Sequence, residues 1–146
     1  RDAVHGHRRR NLTGLVVLLL VGALSAVGCS DGRDVPALCD AYSAFLSARQ
    51  EVRQLDPESM SADQVEAAAD DYLAAINSLQ QAADGRYAAP LGVLEEAVAD
   101  VQRSAANVPS DSDAATWLPL VRDDLETAAK ASASVTNQIG ATCPSA

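Results

Sequence analysis

The sequence predicts an all-α domain, an antiparallel four-helix bundle of up-down-up-down connectivity, after a cleavable signal peptide. Three observations carry that expectation. Beyond residue 28 alanine is abundant, glycine is confined to Gly32, Gly85, Gly92 and Gly140, and β-branched runs are absent. Such a composition favours helices with closely approaching backbones over sheets. Four stretches of roughly 20 residues repeat apolar side chains every three or four positions, with polar, proline or glycine breaks between them. Cys39 and Cys143 fall near the start of the first stretch and just past the fourth, which an antiparallel array of four brings to one end.

The leader comes first in the chain. Arg8, Arg9 and Arg10 form a positive cluster, no ionised residue follows until Asp31, and residues 15–21 are wholly apolar. A basic region, an apolar region and small residues before a cut site are the parts of a secretory signal. Ala26-Val27-Gly28-Cys29 resembles the lipobox of bacterial lipoproteins, with Ala26 standing where that pattern prefers Leu. The resemblance implies cleavage before Cys29 and a diacylglycerol on its sulfur, with a further acyl chain such as palmitate on its amine. Two or three chains, at about 0.8 kcal/mol per buried methylene, anchor a protein stably where one does not. The domains expected are a signal peptide over 1–28, a tether over 29–34 and the bundle over 35–146. An uncut leader of about 20 uncharged residues is also long enough to span a bilayer. Either way the arginines stay inside and the acidic domain faces the extracytoplasmic side of the cell membrane.

The first predicted helix covers 35–55, with Asp34 as N-cap and Pro36 in the first turn, where its missing N–H costs nothing. Leu38, Tyr42, Phe45, Leu46, Val52 and Leu55 share its apolar stripe, and Asp56-Pro57 stops it. The second begins at Ser61, whose spacing to Gln64 makes a capping box. Val65, Ala69, Tyr72, Ile76, Leu79 and Ala83 form its stripe, and Gly85 is the expected left-handed stop. The third starts near Pro90 and alternates Leu91, Leu94, Val98, Val101, Ala105 and Val108 until Pro109. The fourth is read with Thr116 as N-cap, so that Pro119 falls in the first turn, and with 110–115 as a polar connection. Its stripe is Leu118, Val121, Leu125, Ala128, Ser132, Val135 and Ile139, and Gly140 ends it. With Cys29 lipidated, the two other cysteines are expected to bridge, as exported thiols do.

Charge narrows the function. The leader holds four Arg and one Asp, so the 118 residues after it carry seven basic and nineteen acidic side chains, a net of −12. A surface this acidic repels nucleic acid and anionic headgroups. Both histidines, His5 and His7, lie in the leader, which leaves the domain without a His-based triad, di-iron site, haem or zinc ligand. Lys130, the only lysine, reads as a solvated helix residue among alanines. The carboxylates cluster as Asp70-Asp71, Glu95-Glu96 and Asp123-Asp124, but neighbours on a helix diverge by about 100° and do not converge on one ion. Asp111-Ser112-Asp113 begins like a calcium loop and lacks its glycine and later glutamate. No catalytic residue, metal site or cofactor is expected, and the chain is read as a non-enzyme.

In lipobox, cysteine pair and composition, the whole chain resembles the small, alanine-rich, acidic lipoproteins of actinobacteria, a group that offers no active-site motif to transfer. The leading expectation is a lipid-anchored module that binds another envelope protein, with Trp117, placed at a helix start, as the candidate exposed contact. The alternative is a carrier or sensor of a small apolar ligand or lipid in the bundle core, lined by Tyr42, Phe45 and Tyr72. That alternative requires a cavity of about 300 Å³ or more.

Overall fold

A computed structural model describes residues 34–144. The leader, Cys29 and the tether up to residue 33 lie outside the described residues. Four helices follow in order: α1 (Asp34–Gln54), α2 (Ala62–Ala83), α3 (Ala88–Ala106) and α4 (Ala114–Gly140). The described chain is all-α, a four-helix bundle in which close packing runs between consecutive helices: α1 on α2, α2 on α3, α3 on α4. None of these helices is long and apolar enough to cross a membrane.

The periodicities place the core. In α2, Val65, Ala69, Tyr72, Ile76, Leu79 and Ala83 are all buried, as their spacing requires. The strict seam of α3 is buried along its whole length, from Leu91 through Val98 and Val101 to Ala105. Leu38, Tyr42 and Phe45 bring α1 onto the same core. Small side chains at 62, 97 and 131 are also buried in the core.

The ends of the helices show where local chemistry decides. At Ser61 both halves of the capping box form: Ser61 Oγ accepts the Gln64 N–H, and Gln64 Oε1 accepts the Ser61 N–H. The stop of α2 is one residue earlier than Gly85. Asp84 takes the left-handed conformation (φ 48°) and closes the helix, and Gly85 continues in it at φ 81°. A short side chain that can bond locally tolerates that region better than most residues do. Tyr87 then enters α3 at φ 60° without a side-chain cap. Its hydroxyl lies 2.6 Å from that of Thr142, which ties the strained turn to the segment after α4.

The start of α4 corrects the sequence reading. Asp113, not Thr116, is the N-cap, and its carboxylate accepts the Thr116 N–H. An anion at this position answers both the orphan amides and the positive end of the helix dipole, which a threonine hydroxyl does only in part. Pro119 therefore sits inside the helix, beyond the first turn, and Ala115 C=O loses its i+4 donor. The longer helix also places Trp117 inside α4, on the same face as Val121 one turn on. Trp117, expected as an exposed contact, is 0 % exposed and heads the buried stripe, while Leu118 is only half-buried.

Candidate functional site

The two ends of the bundle differ. At one end α1 is tied to the segment just after α4 by a disulfide between Cys39 and Cys143, with Cα atoms 5.3 Å apart and a sequence separation of 104. One turn further along α1, the Tyr42 hydroxyl donates to the Thr136 carbonyl on α4 at 3.0 Å. The same hydroxyl would lie 3.1 Å from a Cβ at Gly140, so glycine there serves the close approach of α1 to α4. The helix does end at Gly140 as the sequence reading expects, with Ala141 as a right-handed C-cap and no left-handed glycine.

Towards the other end the seam between α1 and α4 opens into a cavity of about 380 Å³. Its walls come from every helix. The C-terminal turns of α1 and the connection after it supply Val52, Leu55 and Met60; α2 supplies Val65, Ala68, Ala69 and Tyr72. The floor is Val98 and Val101 of α3, and the far wall is Leu125, Ala128, Ala129 and Ser132 of α4. Alanines at 68, 69, 128 and 129 explain the opening, because a methyl group from each side does not span the gap that leucines would close.

Polar groups reach this cavity at two places. Deep in it, the Tyr72 and Ser132 hydroxyls are hydrogen-bonded at 2.8 Å and both side chains are buried. Burial pushes the Tyr72 phenol above its ordinary pKa, while the Ser132 hydrogen bond and the charge of Arg49 pull it down. At the mouth stand Arg49 and Arg53, one turn apart on α1. They are the only ionisable lining residues besides Tyr72, and both are positive.

No family model matches the chain, and neither a curated protein nor a solved structure matches it.

The aromatic expectation is half met. Tyr42, Phe45 and Tyr72 stack in series, with ring centroids 6.2 and 5.5 Å apart. Of the three only Tyr72 lines the cavity; Tyr42 and Phe45 pack behind it. The opening also lies among all four helices, not between the first two. Five of the carboxylates have side-chain partners: Asp70 accepts from Gln102, Glu95 from Gln80 and Asp124 from Ser104, while Asp100 pairs with Arg103 and Glu126 with Lys130. Among the described residues no group of three His, Cys, Asp or Glu side chains could hold a metal ion.

Sequence reasoning missed Arg49 and Arg53. The signal was present: counted from Phe45 and Val52, both lie on the flank of the apolar stripe, and they are four residues apart. What could not be counted is that α4 leaves that flank uncovered.

Proposed function

We propose that this protein is a lipid-anchored, extracytoplasmic helical domain that carries or senses a small apolar ligand. The observation that carries the reading is the cavity of about 380 Å³ at the open α1–α4 seam. Binding sites for small molecules are concave, mainly apolar and about 300–1,000 Å³ in size, with a few convergent polar groups. Valine, leucine, methionine and alanine walls with one buried hydroxyl pair and two cations fit that description. The anchor and the outward orientation rest on the leader and on Ala26-Val27-Gly28-Cys29.

Docking on another envelope protein has weaker support. Among the described residues the large apolar side chains left exposed are Leu55, after α1, Val93 on α3 and Leu120 on α4, and scattered single residues of this kind are ordinary on a protein surface.

Mass spectrometry of the full chain extracted from membranes tests the proposal. The expected spectrum shows residues 1–28 lost, Cys29 acylated, the Cys39–Cys143 bridge intact and a non-covalent apolar companion that organic solvent releases. Protein that carries no companion, and that takes up no apolar fluorophore, would defeat the reading.

A further inference from the structure

We propose that the ligand is a single-chain amphiphile with an anionic head, its tail in the cavity and its head between Arg49 and Arg53. The inference rests on the ligand-binding reading above and adds the chemistry of what is bound.

Charge at the mouth is the first reason. The chain has 20 acidic and 11 basic residues, yet no carboxylate lines the cavity and both of its formal charges are arginine. Glu51 and Asp71 line a smaller recess on the α1–α2 side, which shares Val52, Leu55, Ala68 and Tyr72 with the cavity, and neither lines the cavity itself. An acidic surface would repel an anion, so two cations at this opening reverse the local field where a head would sit.

The state of the arginines is the second reason. Among the described residues Arg103 and Lys130 pair with carboxylates on their own helices, whereas Arg49 and Arg53 engage neither a carboxylate nor a hydrogen-bond acceptor. Arg53 stands in the last turn of α1, where a cation is favoured by the helix dipole in any case. Arg49 has no such reason. It is half-buried and lines the cavity together with Tyr72, so its side chain borders the opening. Guanidinium groups suit carboxylate and phosphate heads because their N–H forks bind such anions in pairs.

Size is the third reason. A volume of about 380 Å³ is at the lower end of the range for small-molecule sites. It has room for one flexible chain and not for a two-chain phospholipid, and its lining offers such a chain nothing polar below the mouth except the Tyr72–Ser132 pair, already bonded to itself.

The test uses four probes with one tail: dodecanoate, dodecyl phosphate, dodecan-1-ol and dodecyltrimethylammonium. Each is titrated calorimetrically into the full chain held in neutral phosphatidylcholine vesicles, with protein-free vesicles as blank. Either anion, or both, is expected to bind about tenfold or more tightly than the alcohol, and the cation most weakly. The double variant Arg49→Gln, Arg53→Gln is expected to bring the anions to the level of the alcohol and to weaken the alcohol far less than either anion. An alcohol that binds as tightly as the anions, or an anion preference that survives in the variant, overturns the headgroup assignment and leaves the cavity reading standing. No binding by any probe overturns both. So does a dimer that Ala128→Trp disperses, because the groove then belongs to a second copy of the chain.

Discussion

The Tyr72 hydroxyl lies 2.8 Å from the Ser132 hydroxyl, and this contact joins α2 to α4 across the interior of the bundle. Both side chains are buried, at 6 % and 5 % exposure, so each hydroxyl depends on the other. Removing one partner strands the other and costs about 1 to 3 kcal/mol, whereas removing both is nearly neutral. Tyr72→Phe and Ser132→Ala are therefore each expected to lower the denaturation midpoint, and the double variant to recover most of the loss. Chemical denaturation of the four proteins measures it. Additive losses would mean that cavity water already satisfies each hydroxyl.

The Cys39–Cys143 bridge closes a loop spanning 104 positions. Loop-closure entropy for such a length gives about 4 to 5 kcal/mol of stabilisation. That is a large share of the 5 to 15 kcal/mol typical of a domain. Reduction, or Cys39→Ser with Cys143→Ser, is expected to lower the melting temperature sharply while leaving the helices formed at low temperature. The local effect falls on the α1–α4 seam, where Tyr42 to Thr136 is then the remaining tie described at that end. Circular dichroism with and without reductant reads the change, and an unchanged melting curve would contradict it.

Most of the fold was legible because each helix announces itself locally. The stripe of α3 and the capping box at Ser61 are one-dimensional signals, and the structure reads them as written. The pairing of the two cysteines was legible because it needs only helix count and direction. Two things were not. Asp113 and Thr116 both offer a cap, and the earlier start puts Trp117 a turn inside the helix, on the buried face it shares with Val121, where the later start would leave it at the helix end. The penalty of an interior Pro119 argued for the later start, and the better cap together with the burial of an indole outweighed it. The cavity was illegible for a different reason. Small residues at 68, 69, 128 and 129 look the same in sequence whether they bring backbones together or leave a gap.

The two capped helix starts should respond differently to acid. Ser61 is uncharged, and Ser61→Ala is expected to cost about 1 kcal/mol at any pH. Asp113 is held below the usual carboxylate range by hydrogen bonds from Thr116, the side chain first and then the backbone N–H. A depressed folded pKa means that its contribution is present above the unfolded value and lost as pH falls through the folded one. Asp113→Asn keeps a capping oxygen and removes the charge, so it should flatten the acid side of the stability profile with little change at neutral pH. Denaturant midpoints from neutral to acidic pH, compared between the two variants, decide it; identical slopes would exclude a role for the Asp113 charge.

Tyr72 and Arg49 make the last prediction, on the alkaline side. Burial raises the Tyr72 pKa above the phenol value, and the Ser132 hydrogen bond and Arg49 charge oppose it. Tyr42 is raised by burial and opposed by the same arginine. With a raised folded pKa, the neutral phenol contributes stability that is complete below the unfolded value of about 10 and lost as pH rises through the folded one. Arg49→Gln removes the opposing charge, so both phenols should titrate at still higher pH. Arg103→Gln, which touches only Asp100 on the face of α3, should leave them where they are. Ultraviolet absorbance of phenolate formation follows both, with Tyr72→Phe assigning the phase. An anionic head seated on Arg49 should shift the same phase in the same direction as the substitution. A Tyr72 phase that ignores Arg49→Gln would mean that the guanidinium does not stand over the cavity.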